Sequence, residues 1–268
     1  MLDLMHSGKI KSAKRVVLVG DCLLIEGDAL DILPELGPVA DLGVMDPPYR
    51  LTSGGNTPGA MGGKFDSERY DNTGFLMDVV KWSEIGGPVY RVLKKNADCY
   101  VMAEDKNVFA AHGGFMGAGF KFHSLLTWDK ISPSRTRYYM KDGENAVRLA
   151  KGDGCEEEAD GYLALFLWKG RARDIARGGD KRIQRMPRPK NAVHKTQKPV
   201  DLMAIYILNS SKPGDVVIDP FMGSGTTLVA AMRHGRKGIG IEVDPDNFDA
   251  AVDRLVTAEA ELRGAGCG

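Results

Sequence analysis

The sequence predicts an α/β protein built on a mainly parallel sheet with helices on both faces. Three observations lead there. In the last third of the chain strands and helices alternate, with Val216–Asp219 and Gly238–Glu242 as strands and Thr226–His234 and Pro245–Leu262 as helices. Short apolar runs at Val16–Val19, Leu23–Ile25 and Asp41–Met45 have the length and β-branched content of buried strands. A turn containing Gly223 and Gly225 joins a strand directly to a helix. Glycines there let the backbone turn tightly and approach a ligand without a Cβ in the way.

The elements follow in order. Val16–Val19 and Leu23–Ile25 are the first two strands, the second running into Glu26-Gly27-Asp28-Ala29. Asp41–Met45 is the third, stopped by Pro47-Pro48, since proline cannot donate to a ladder. Residues 50–74, rich in Gly, Ser, Thr and Asn, read as a long loop, a length that tends to be functional. Phe75, Val79, Trp82, Val89 and Val92 have helical spacing, with Gly86-Gly87-Pro88 expected to interrupt the helix. Cys99–Met102 is strand-like, a short helix lies near Lys106–Met116, and Phe122–Trp128 and Tyr162–Trp168 are the next strands. The segment between those two strands, including acidic Asp153–Asp160, reads as irregular and exposed, and Lys169–Val193 takes no regular assignment. A helix then runs from about Pro199 to Ser211, because proline is tolerated in a first turn.

Composition narrows the function. Hydrophobic content of 43% and charged content of 27% are those of a globular protein with a substantial core. No apolar run reaches the length of a membrane span, and Val16–Val19 is too short for the apolar core of a signal peptide. Cys22, Cys99, Cys155 and Cys267 form no Cys-x-x-Cys pair, which disfavours a disulfide framework or a zinc site and fits a cytoplasmic setting. No metal is expected. The net charge of zero hides a polarised chain: Lys169–Lys198 holds 11 Lys/Arg against Asp174 and Asp180, a local charge of +9 suited to phosphate contact.

Two constellations carry chemistry. In the first, the loop Asp219-Pro-Phe-Met-Gly223-Ser-Gly225-Thr226-Thr227 is followed by Glu242 at the end of the next strand. A carboxylate about 20 residues beyond such glycines typically accepts from ribose hydroxyls. Leu228 stands where a dinucleotide fingerprint has its third glycine, which disfavours a nicotinamide cofactor. Asp219 at its strand end can hold an ammonium group, so a ligand combining adenosine with an amino acid, S-adenosylmethionine, satisfies both carboxylates. The second constellation is Asp46-Pro47-Pro48-Tyr49, directly after a strand. An aromatic exocyclic amine is a poor nucleophile because its lone pair is delocalised into the ring. Two acceptors for its N–H groups, the Asp46 carboxylate and the Pro47 carbonyl, would localise that pair. Tyr49 offers a face on which a base can stack, and the rest is proximity to the donor's sulfonium.

Together these segments resemble the amino-methyltransferases of DNA, the N6-adenine and N4-cytosine enzymes, over most of the chain. Glu26–Ala29 looks like the family's opening segment, and His194-Lys-Thr196-Gln-Lys198-Pro199 is similar to its His-Pro-Thr-x-Lys-Pro motif, with Lys195 in place of the first proline. The catalytic motif precedes the donor loop, an order resembling the circularly permuted β class. The resemblance implies a Rossmann-like S-adenosylmethionine-dependent methyltransferase fold, a seven-stranded, mainly parallel sheet with one reversed strand. It implies a single domain over 1–268, in which a target-recognition region at about 130–193 separates a catalytic part (16–128) from a donor-binding part (194–268). Asp28 and Ala29 would lie near the donor's adenine and Lys198 near its methionine carboxylate, with Asp219, Phe221, Gly223, Ser224, Gly225, Thr226 and Glu242 completing the site. Asp46 in the first catalytic position is typical of adenine enzymes, whereas cytosine enzymes more often have Ser.

The substrate implied is double-stranded DNA, with the target base rotated out of the stack and methylated directly, without a covalent enzyme intermediate. Arg171, Arg173, Arg177, Lys181, Arg182, Arg185, Arg188 and Lys190 are candidate contacts to phosphate or guanine. A homodimer and a companion restriction enzyme are left open. The alternatives are an N4-cytosine enzyme, a protein or RNA amine methyltransferase, and a non-catalytic DNA-binding module that senses the donor.

Overall fold

A computed structural model of the chain describes residue 8 and residues 10–48, 80–103, 107–134, 141–148, 164–171, 174–187, 189–190 and 197–265. The described strands are β1 (Arg15–Val19), β2 (Cys22–Glu26), β3 (Ala40–Met45), β4 (Leu93–Ala103), β5 (Lys121–Ser134), β6 (Lys141–Arg148), β7 (Ala164–Trp168), β8 (Ile183–Arg185), β9 (Val216–Asp219) and β10 (Lys237–Glu242). The helices are α1 (Ala29–Leu36), α2 (Trp82–Val92), α3 (Val108–Gly117), α4 (Val200–Ser210), α5 (Thr226–Arg233) and α6 (Pro245–Ala265).

These strands form one sheet in the order β1-β2-β10-β9-β3-β4-β6-β7-β5-β8. Strands β2, β10, β9, β3 and β4 are mutually parallel. Strand β7 runs against both β4 and β5. The series β2-β10-β9-β3-β4-β7-β5 is therefore the expected seven-stranded framework, with β7 as its reversed strand. Three further strands raise the count to ten: β1 on the outer edge of β2, β8 on β5, and β6. Strand β6 shares a place with β7, pairing with Tyr100–Ala103 of β4 while β7 takes Asp98 and Cys99. The region assigned to recognition is thus partly sheet, and its boundary near residue 130 falls inside β5.

The period of two along each strand divides the side chains between two layers. Leu23, Ile25, Met45, Cys99, Val101, Ile218 and Ile239 pack under α1, α2 and α3. Leu42, Val44, Tyr100, Met102 and Val217 face α4, and Cys22 and Leu24 face α5 and α6. Trp82, Trp128 and Trp168 are buried, as core residues should be. Cys22 and Cys99 are free and buried, whereas Cys155 and Cys267 lie outside the described residues. No helix among the described residues is long and apolar enough to cross a membrane.

Four local expectations are corrected. Helix α2 runs unbroken through Gly86-Gly87-Pro88. Those glycines serve packing: a Cβ on Gly86 would stand 2.7 Å from the Gly114 carbonyl oxygen, and one on Gly114 would stand 2.3 Å from that of Trp82. The α2–α3 contact therefore brings backbone against backbone. Residues 29–36, given no helix above, form α1, with Asp28 as N-cap accepting from the Leu30 N–H at 2.7 Å. The signal was present, an Asp ahead of apolar residues at 29, 32, 33 and 36. Residues 141–148, expected to be irregular, form β6, and the basic segment contains β8. The latter is held where the Trp128 indole N–H donates to the Met186 carbonyl at 2.8 Å and the Thr127 N–H to that of Arg182 at 2.8 Å. The acidic stretch at 153–160 lies outside the described residues.

Candidate active site

Four adjacent parallel strands, β2, β10, β9 and β3, end in or are followed directly by a carboxylate: Glu26, Glu242, Asp219 and Asp46. Glu26 is spent on structure, pairing with Arg15, which also reaches Asp249 at 2.9 Å and lies over the Phe248 ring. The other three face a topological switch point. The chain leaves β9 towards β10 on one side and leaves β3 towards β4 on the other, opening the crevice in which α/β sheets bind ligands.

Asp46 follows the last residue of β3 and is held by Lys198, whose ammonium donates to Oδ2 at 2.5 Å. Lys198 is buried just ahead of α4, and Pro199 is that helix's N-cap. The ion pair spans 152 residues of chain, and nothing in either motif announces it. Pro47 is buried and Pro48 half-buried. Tyr49, Arg173, Arg188 and the stretch 191–196 with His194 lie outside the described residues.

The loop after β9 is shaped by the two acids. The Phe221 N–H donates to Asp219 Oδ1 at 3.1 Å, and the Gly223 N–H to Glu242 Oε2 at 2.9 Å. Glu242 Oε1 accepts the Asp244 N–H at 2.9 Å. The Val243 N–H is a third backbone donor to this carboxylate, and since a carboxylate offers about four lone-pair sites, about one remains for a ligand's hydroxyl. Gly223 has φ +49°, and a Cβ there would meet nothing within 4 Å, so its face is open to a ligand. Gly225 has φ +76°, and a Cβ there would lie 2.9 Å from Leu255 Cδ1. Asp28 and Ala29 sit beside this edge, where the Gly27 N–H donates to the Glu242 carbonyl at 2.9 Å. One Asp28 oxygen is already committed to capping α1.

Burial lifts the Asp219 carboxyl to about 7, against hydrogen bonds from Thr227 and Phe221, and the charges of Asp46 and Glu242 push the same way. Burial likewise raises Glu242. A buried group of repelling carboxylates, with hydroxyl-accepting capacity to spare, suits a ligand that brings cationic nitrogen or sulfur and a ribose. S-adenosylmethionine has that chemistry, so the residues present fit it. Among the described residues no group of three or more His, Cys, Asp or Glu is placed to hold a metal ion.

The sequence model of the N6/N4 methyltransferases, described as DNA methylase, matches residues 40–253. The chain belongs to this DNA methylase family. Curated relatives include the Type II methyltransferase M2.DpnII of Streptococcus pneumoniae, 29% identical over 248 residues and covering 87% of this chain and 89% of the relative. Another is the Type II methyltransferase M2.LlaDCHI of Lactococcus lactis subsp. cremoris, 28% identical over 251 residues, with 88% and 89% covered. Among solved structures, the M1.HpyAVI–SAM complex has a TM-score of 0.62 at 22% identity, covering 87% of this chain and 99% of that one. The cytosine-N4-specific PvuII DNA methyltransferase has 0.60 at 16% identity, covering 90% and 92%. At these identities the structures speak to the fold. As a DNA methylase, the protein acts on DNA and takes its methyl group from S-adenosylmethionine.

The basic segment of the methylase divides into three kinds of cation. Lys169 is structural, donating to the Tyr90 and Leu93 carbonyls at 2.7 Å each and so closing the C-terminal end of α2. Arg177 and Arg185 are tied to Asp180 at 3.2 Å and Asp129 at 2.7 Å. Arg171, Lys181, Arg182 and Lys190 are exposed.

If Asp219 holds the donor's cationic group, its raised pKa should make donor binding pH-dependent. It holds its proton to about pH 7 in the folded methylase, against 3.8 in an unperturbed aspartate. Between those values the folded state binds more protons than the unfolded one. The stability Asp219 contributes is therefore present at the acidic end of that window and is lost as pH rises through about 7. A cationic donor favours the ionised carboxylate, so S-adenosylmethionine affinity should increase from about pH 6 to about pH 8. Isothermal titration across that range would show it, and Asp219→Asn should flatten the slope. An unchanged slope in that variant would remove Asp219 from the site.

Proposed function

We propose that this methylase transfers the methyl group of S-adenosylmethionine to adenine N6 in duplex DNA, within a specific sequence, with the base rotated out of the helix. The observation that carries the reading is Asp46 at the carboxyl end of β3, across the switch point from Asp219 and fixed in orientation by Lys198. Asp46 would accept one N–H of the target amine and the Pro47 carbonyl the other, drawing the nitrogen lone pair out of the ring. Tyr49 would stack on the base. Bound S-adenosylmethionine supplies an electrophilic methyl on its sulfonium. The protein's own part is to orient the amine, hold the donor through Asp219, Glu242, Lys198, Phe221 and the Gly223–Thr226 loop, and exclude water. Asp28 and Ala29 would border the donor's adenine.

Residues 130–193 serve target recognition in this reading, with exposed Arg171, Lys181, Arg182 and Lys190 contacting DNA. The Type II designation of both curated relatives supports a restriction–modification setting, in the cytoplasm of a bacterium or a phage-infected cell. The test is direct. Duplex DNA methylated by the purified protein is digested to nucleosides and the modified base identified, while sequencing maps its position. N6-methyladenine at one recurrent sequence is expected. N4-methylcytosine would transfer the same mechanism to the other amine, and label on neither base would end the proposal.

A further inference from the structure

We infer that Arg254 of α6 is a positioning residue for the donor loop, locking the peptide between Ser224 and Gly225 in the orientation that binds S-adenosylmethionine. The inference rests on the reading of residues 219–227 as the donor site. The two N–H groups of Arg254 Nη1 are shared among three acceptors, the Ser224 carbonyl at 2.6 Å, the Ser224 hydroxyl at 2.9 Å and the Thr226 hydroxyl at 3.1 Å. On the other side of the same peptide, the Gly225 N–H donates to the Met222 carbonyl at 2.8 Å. The plane is thereby held at both ends. Such an anchor matters because a glycine follows: with no Cβ, Gly225 tolerates more than one orientation of the preceding peptide. Beside Arg254, Ala251 and Leu255 fill the space a Cβ on Gly225 would need, so α6 backs the whole turn.

Arg254 is held there at an electrostatic cost. It lies against the first turn of α5, where the helix dipole disfavours a cation. Burial, and then the charge of Arg233, push its pKa down. Ser224 and Thr226 are buried, and their hydroxyls turn to Arg254. Their part in donor binding then falls to the backbone, whose geometry Arg254 sets.

The experiment compares Arg254→Met with the unsubstituted enzyme. The donor's Kd and KM, the kcat at saturating donor, DNA affinity and Tm are all measured. Loss of charge-assisted bonds to the loop should raise the donor Kd and KM by about 10- to 100-fold. With donor saturating, kcat should stay within roughly twofold and DNA affinity should not move. Adding Thr226→Val to Arg254→Met should change donor affinity little further, because the bond it removes is already gone. Should Arg254→Met fail to fold, Arg254→Lys, which keeps the charge and one donor group, should fold and show an intermediate donor KM. Unchanged donor constants, or a fall in kcat and DNA affinity alongside them, would overturn the inference. Gly223→Val is measured in parallel. If it leaves donor binding intact, the reading of the loop itself fails; if it abolishes binding while Arg254→Met does not, only the role of Arg254 fails.

Discussion

Replacing Asp46 by alanine is expected to lower the methylation rate by about 10²- to 10⁴-fold, the scale seen when one positioned group acting on the reacting atom is removed. The alanine variant deletes the acceptor proposed to localise the amine lone pair and leaves the loop after β9 untouched. Its second effect is on Lys198, which loses the partner held at 2.5 Å. The Lys198 side chain is 10% exposed and that of Asp46 31%. Breaking a fully buried pair costs about 3–5 kcal/mol, and the partial exposure of Asp46 reduces that figure. Single-turnover methylation of duplex DNA should therefore be read beside Tm and donor affinity. A variant that remains folded, binds S-adenosylmethionine and fails to methylate assigns the loss to chemistry. One that methylates at more than about a tenth of the normal rate removes Asp46 from the reaction centre.

Glu242→Ala should weaken S-adenosylmethionine binding by about 100-fold or more, the equivalent of two charge-assisted hydrogen bonds at the low end of their range. Two losses combine. The ribose hydroxyls lose their proposed acceptor, and the Gly223 and Asp244 N–H groups lose the carboxylate that sets the loop at 2.9 Å on each side. Glu242→Gln retains one acceptor oxygen and should fall between the two. Calorimetric titration with S-adenosylmethionine and, separately, with duplex DNA distinguishes the outcomes. Donor binding should collapse while DNA binding persists. Equal weakening of both would mean that Glu242 supports the fold in general, and unaltered donor binding would exclude it from the site.

The recognisable chemistry sits in short contiguous segments. Asp46-Pro47-Pro48 and the 219–227 loop stand out as candidates because each places its chemistry within nine residues or fewer at a strand end, where local backbone preference decides the geometry. Glu242 stands out as a candidate because one helix separates it from the glycines. The extent of α2 departs from local sequence rules for a related reason. Gly86-Gly87-Pro88 breaks an isolated helix by local rules, and only contact with Gly114 of α3 shows why glycine stands there. Strand β6 lacked a sequence signal because its place beside β4 depends on where β7 stops.

The sequence by itself determined the alternation of strands and helices, the class of ligand and a candidate for the reaction centre, since residue type and spacing act within one turn or one strand. The tertiary structure decided which groups meet. It put Lys198 on Asp46 and Arg254 on the 219–227 loop, pairs separated by 152 and by 28 to 30 residues. It also separated the basic segment into Lys169 closing a helix, Arg177 and Arg185 paired with acids, and Arg171, Lys181, Arg182 and Lys190 exposed. Such pairings depend on the order of strands in the sheet and on which helix packs against which loop, and neither is encoded in the spacing of residues along one segment.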